Sequence, residues 1–227
     1  MFMFKVGQSL MTEEDLGFAK VKCLTGNNGL FKGMLRIKEI TILPNMGLLP
    51  QPYQDTEVIL LPLSGTLYQH NSTGETVRVS KGDVGIAHYG SDVMHFEYNK
   101  SSTDELKFLM VEINTDRNRM MEPKTKVLRM KVHKDYCFKE YGNNVVLRSV
   151  WEAGDELAYV PLGRSSVVAL YVVHGKFMYR DYEYLASDLI FLWGPMPIEL
   201  KSTEASEVVL LELEIPDSGY QDLFNLG

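Results

Sequence analysis

Apolar and polar positions alternate in short runs along most of the chain, and Gly, Asn, Ser and Asp cluster between the runs. A period of two over four to eight residues is the signature of half-buried strands, because successive side chains point to opposite faces. The runs Met34 to Leu43, Glu57 to Leu63, Thr66 to His70, Val84 to Ala87, Val93 to Tyr98 and Leu106 to Ile113 therefore predict strands in the first half. Asn71-Ser-Thr-Gly74 and Ser80-Lys-Gly-Asp83 predict turns. Helical periodicity is confined to a short turn near Asp135 to Glu140 and a helix over Tyr220 to Asn225, which Asp217 or Ser218 would cap.

The runs recur. Glu57 to Tyr68 reads like Val167 to Met178, with Gly65 and Gly175 at the same place. Lys81-Gly-Asp83 and the residues after it match Ala186-Ser-Asp188, and Lys100 to Ile113 echoes Lys201 to Ile215. A repeat of about a hundred residues is the scale of a duplicated domain. The expected architecture is all-β, two double-sheet jelly-roll barrels in tandem. The N-terminal barrel is expected over 1–116, a polar linker around Pro123 over 117–126, and the C-terminal barrel over 127–227. In each copy the glycine reverses the chain, and Asp83 or Asp188 is suited to bonding local amides at the next turn.

The 227 residues carry 23 Lys and Arg against 30 Asp and Glu, a net charge of −7, which disfavours a broad nucleic-acid-binding surface. Apolar stretches such as Val167 to Val173 are strand-sized, too short to span a bilayer as helices. The opening residues, broken by Lys5 and Gln8, make a poor signal peptide. Cys23 and Cys137 do not form a disulfide framework. Together these features predict a cytoplasmic protein; that it is a monomer is implied by the resemblance described next.

Gly33 to Ile40, Pro50 to Val58, Leu63-Ser-Gly-Thr66, Lys81-Gly-Asp83 and His95-Phe-Glu-Tyr-Asn99 with its Ser/Thr-rich continuation resemble the pirins, and more closely the bacterial pirin-like quercetinases of the bicupin superfamily. The resemblance implies one divalent metal in the N-terminal barrel, usually iron, with manganese, nickel, copper or zinc as alternatives. Its ligands would be two histidines of a Pro-His-Pro-His segment plus the His and Glu of a later His-x-Glu. Here that segment is Pro50-Gln51-Pro52-Tyr53, so only His95 and Glu97 keep the family's ligand types. An amide oxygen is a weak donor, and a phenol titrates near 10 unless a metal lowers it.

Two readings of these four positions follow. Gln51, Tyr53, His95 and Glu97 form either an altered metal site or a metal-free, hydrogen-bonded polar cluster, the second being preferred. Met46, Leu48, Tyr68, Tyr89 and Tyr98 are candidates for lining a pocket for a small aromatic ligand, whereas Phe96 should point away from His95 and Glu97. The second barrel has no histidine at the matching positions, taken by offset as Pro161 and Gly163 and as the stretch near Pro197 to Leu200. His70, His88, His133 and His174 are read as solvated or internally satisfied. The expected function is small-molecule binding or another non-catalytic role. A metal-dependent quercetinase-like dioxygenase is one alternative. A protein that contacts transcription regulators is the other, since the resemblance implies a protein partner.

Overall fold

In a computed structural model, the structure describes residues 2–30, 35–53, 55–89, 93–114, 124–132, 137–141, 144–162, 166–194 and 196–214. The first strands are β1 (Phe2–Lys5), β2 (Thr12–Asp15), β3 (Ala19–Cys23), β4 (Leu35–Ile42), β5 (Gln51–Tyr53), β6 (Thr56–Ser64), β7 (Thr66–Asn71), β8 (Thr76–Ser80), β9 (Asp83–Tyr89), β10 (Val93–Asn99), β11 (Leu106–Asn114) and β12 (Lys124–Arg129). They are followed by β13 (Lys131–Val132), β14 (Cys137–Tyr141), β15 (Asn144–Trp151), β16 (Glu156–Tyr159), β17 (Ser166–His174), β18 (Lys176–Tyr179), β19 (Tyr182–Leu185), β20 (Leu189–Trp193), β21 (Ile198–Ser202) and β22 (Ser206–Glu214). Among the described residues the one helical element is a 3-10 turn at Gln8–Leu10. The helical turn expected near Asp135 to Glu140 is corrected in part, because Cys137 to Tyr141 is strand β14, paired antiparallel with β15. The expected terminal helix and His133 lie outside the described residues.

Two compact units result, Gln8–Arg129 and Met130–Gly227 together with Met1–Gly7. The first has a seven-stranded sheet, β12-β9-β6-β11-β4-β3-β2, and a four-stranded sheet, β5-β10-β7-β8. Leu67 and Val79 of the small sheet meet Ile40, Val58, Leu60, Phe108 and Met110 of the large one in a single buried core. The second unit repeats the plan with β1-β20-β17-β22-β15-β14-β13 and β16-β21-β18-β19. Phe177, Tyr184 and Leu200 there pack on Val168, Leu170, Ile190 and Leu210.

The division differs from the boundaries read off the sequence. Lys124 to Arg129 is an edge strand of the first barrel, paired with Asp83 to His88, so the first unit runs past the expected linker. Residues 117–123 of that linker lie outside the described set. Phe2 to Lys5, expected in the first barrel, pairs with Ile190 to Trp193 of the second. Composition alone marks polar stretches but not which sheet edge needs a strand, so neither assignment was available from it.

Gly65 and Gly175 both have φ near 75° (75° and 74°), the left-handed region, and each joins a nine-residue strand to the next. A Cβ at Gly175 would lie 2.3 Å from the Ala205 carbonyl oxygen, against 3.3 Å from that of Glu105 at Gly65. The two aspartates differ. Asp188 accepts a bond from the Leu185 amide at 2.9 Å, as the sequence predicts, whereas the Asp83 carboxylate meets Arg129 at 3.2 Å.

Candidate functional site

Strand β10 carries the chemistry because its alternation is strict. Val93, His95, Glu97 and Asn99 are buried, and the residues between them face outward. β10 has β5 on one side and β7 on the other. His95 stands opposite Gln51 and Asn71, and Glu97 stands opposite Gln69. Beyond β5 the chain Met46-Gly47-Leu48 follows the same strand, with the Leu48 amide bonded to the Glu97 carbonyl and the Asn99 amide to the Met46 carbonyl, both at 2.8 Å. Gly47 permits this approach, since a Cβ there would lie 2.7 Å from the Cβ of Tyr98. The Asn99 amide group donates to the carbonyls of Ile42 and Asp104, and its oxygen accepts from Ser101. Part of the family-like stretch His95 to Thr103 is therefore turn closure.

The four predicted ligand positions lie on the adjoining strands β5 and β10, and Tyr53 and Glu97 each engage another partner. The Tyr53 hydroxyl lies 3.5 Å from Glu112 Oε1 and 3.5 Å from Met110 Sδ. Its ring centre is 6.3 Å from that of His95. Gln51 is exposed. Glu97 Oε1 accepts from Gln69 Nε2 at 3.1 Å, and the Gln69 carbonyl oxygen accepts from the Thr125 hydroxyl at 3.0 Å. Burial lowers the His95 imidazole to a pKa of about 4. Burial raises the Glu97 carboxyl to about 7; the Gln69 bond and Lys38 pull it down, while the charge of Glu112 pushes it up.

Sequence reasoning missed Arg36, Lys38, Gln69 and Glu112. Glu112 is buried, with Lys38 Nζ 2.5 Å from one carboxylate oxygen and an Arg36 nitrogen 3.8 Å from the other. The signal was present in the alternation. Glu112 shares a face of β11 with Leu106, Phe108 and Met110, and these pair with Arg36, Lys38, Ile40 and Ile42 on β4. Two cations and an acid in that inward register mark a polar end to an otherwise apolar barrel.

These groups border a cavity of about 640 Å³, lined by Gln51, Tyr53, Leu48, Arg36, Lys38 and Met110 among others, with Glu13 and Glu14 also on its lining. Of the predicted pocket residues, Leu48 lines it and Met46 does not. Tyr68 and Tyr98 are placed elsewhere. They form an aromatic row with Phe96 and His70 on the outer face of the small sheet, Tyr68 and Tyr98 being 5.5 Å apart, with the Lys100 ammonium 4.4 Å over the Tyr68 ring. Phe96 points away from His95 and Glu97, as period two predicts, and stands in this outer row. The Tyr89 side chain lies outside the described residues.

Among the described residues no three His, Cys, Asp or Glu side chains are grouped to hold an ion. The phenol is directed at Glu112, the amide side chain is solvated, and Glu97 is engaged by Gln69.

No family model matches the sequence. The quercetin 2,3-dioxygenase of Escherichia coli (strain K12) is 24% identical over 201 residues, covering 81% of this chain and 83% of that protein. A pirin-like protein of Caulobacter vibrioides is 34% identical over 73 residues, 32% of each chain. The bacterial pirin YhhW of Escherichia coli, solved in complex with nickel(II), superposes with a TM-score of 0.78 at 20% identity, covering 95% of this chain and all of that one (100%). The chain has the two-barrel bicupin fold of these bacterial proteins.

Each barrel contains its own tyrosine–glutamate contact. Tyr159 stands opposite Ile198 at the end of β16, as Tyr53 stands opposite Val93 at the end of β5. Its hydroxyl donates to Glu212 on β22, the strand equivalent to β11 and its Glu112. Glu212 also accepts from the Ser166 hydroxyl at 2.5 Å and the Leu162 amide at 3.0 Å. By register, therefore, Leu157 and Tyr159 match Gln51 and Tyr53, correcting the sequence match to Pro161 and Gly163. The offset failed because the loop before β17 is longer than the one before β6. Among the described residues, no helix is long and apolar enough to cross a membrane.

Proposed function

We propose that the N-terminal barrel of this pirin-like chain binds a small organic molecule without a metal and performs no oxidation. The observation that carries the reading is the contact of the Tyr53 hydroxyl with Glu112 and Met110, beside a Glu97 carboxylate that already accepts from Gln69. Tyr159 and Glu212 in the second barrel support it. A tyrosine at this place closes the interior of a barrel onto a buried glutamate whether or not histidines stand nearby. The cavity beside Tyr53, with its apolar residues and a few polar groups, has the dimensions of a small-molecule site.

A dioxygenase reading draws on the relatives named quercetin 2,3-dioxygenase and requires the metal. Elemental analysis of chain purified without an affinity metal separates the two. The expected result is iron, manganese, nickel, copper and zinc far below stoichiometry, with no quercetin turnover after reconstitution. A stoichiometric transition metal overturns the proposal. The double variant Gln51→His, Tyr53→His should gain metal binding, because it restores two imidazoles on the strand beside His95 and Glu97.

A further inference from the structure

We infer that the cavity beside Tyr53 takes a singly charged carboxylate borne on an apolar body, with the carboxylate seated against Arg36. The inference rests on the proposed small-molecule site and names its ligand class.

The charges at the inner end of the cavity are unequal. Arg36 and Lys38 both face inward from β4, and both approach the same carboxylate, Glu112. Lys38 takes the close contact at 2.5 Å, and Arg36 stands off at 3.8 Å. Among Arg36, Lys38 and Glu112, one positive charge is in excess beside the Tyr53–Glu112 contact. The Arg36 Nε is buried with no hydrogen-bond partner among the described residues, while the side chain as a whole is 37% exposed and lines the cavity. A buried donor without an acceptor is costly, and a guanidinium matches a carboxylate in both charge and geometry. A ligand carboxylate seated on the open side of that guanidinium is the group that would pair it.

The rest of the lining restricts the ligand further. Val21, Ile40, Leu48 and Met110 offer an apolar surface next to Arg36, which suits a hydrocarbon or aromatic body. Glu13 and Glu14 stand exposed on β2, also along the cavity. Their charges oppose a dianion such as a phosphate ester more strongly than a monoanion. The class is therefore an apolar monocarboxylic acid rather than a sugar phosphate or nucleotide.

Isothermal titration of the full chain with cinnamate, benzoate and octanoate, their methyl esters, and phenylphosphonate tests the inference. At least one acid should bind about tenfold more tightly than its ester, and phenylphosphonate should bind less tightly than benzoate. Arg36→Gln should remove the acid's advantage and leave the ester's affinity unchanged. If that variant does not fold, the NMR resonance of Arg36 Nε–H in the native chain supplies the answer: it should shift with the acid and not with the ester. Equal binding of acids and esters, or tighter binding of the phosphonate, overturns the carboxylate class while leaving the small-molecule site standing. Failure of every acid and every ester to bind overturns both.

Discussion

His95 and Glu97 are sealed from water two residues apart, and burial moves their proton affinities in opposite directions. His95 is held to about 4, so between about 4 and 6.5 the unfolded chain binds a proton there that the folded chain does not. Its contribution to stability is present above the unfolded value and is lost as pH falls through the folded one. Glu97 is raised to about 7, so between about 4.5 and 7 the folded chain holds the extra proton. Its contribution is present below the unfolded value and is lost as pH rises through the folded one. From pH 4.5 to 6.5 the two slopes oppose each other, and urea denaturation of the native chain should show little pH dependence from this pair. Glu97→Gln should expose a loss of stability on acidification through that window, and His95→Gln a loss on alkalinisation toward 7. Parallel behaviour of the two variants would contradict these assignments. A second expectation concerns the tyrosines. Tyr159→Phe strips a buried carboxylate of a short donor and should cost about 1–3 kcal/mol in denaturation, more than Tyr53→Phe, whose contacts are 3.5 Å. His95 and Glu97 were legible because period two put both on one face. Glu112 was not read, because an acid inside the apolar run Leu106 to Ile113 looks like an edge of the run until its partners on β4 are known.

The strands show the same division between what is local and what needs a partner. The duplicated glycine turn was visible because a left-handed residue after a long apolar strand leaves a sequence mark. Its difference between copies was not visible. Gly175→Ala meets backbone oxygen at 2.3 Å and should destabilise the second barrel by about 2–3 kcal/mol or more, whereas Gly65→Ala, at 3.3 Å, should cost less. Chemical denaturation followed by the tryptophans Trp151 and Trp193, both in the second barrel, reads the first of these directly. The aromatic residues illustrate the converse. Tyr68, Phe96 and Tyr98 look like pocket or core by composition, yet cross-strand register makes them an outer row. Register depends on which strands pair, and a single strand's sequence does not state it.

At the scale of the molecule, the repeat predicted two barrels, and two units are present. What it did not predict is that each large sheet finishes its edge with a strand from outside the repeated core. β12 pairs with β9 in the first unit, and β1 occupies the corresponding place beside β20 in the second. Lys5 adds an ion pair to Asp188 at 2.6 Å, and Val6 is buried. Removing residues 1–6 should uncover the β20 edge, lower the apparent melting midpoint by roughly 5 °C or more, and promote association detectable by light scattering. A truncated chain as stable and as dispersed as the intact one would show that β1 is dispensable.

The placement of β1 also sets a timetable. Phe2 to Lys5 leave the ribosome ahead of every residue of the barrel over 8–129, yet their seat beside Trp193 to Ile190 exists only once those later residues have been made. A segment synthesised before the whole 8–129 unit thus docks only after it. Until then it trails as an unpaired apolar ribbon, the point at which a nascent copy of this protein most needs shielding from its neighbours.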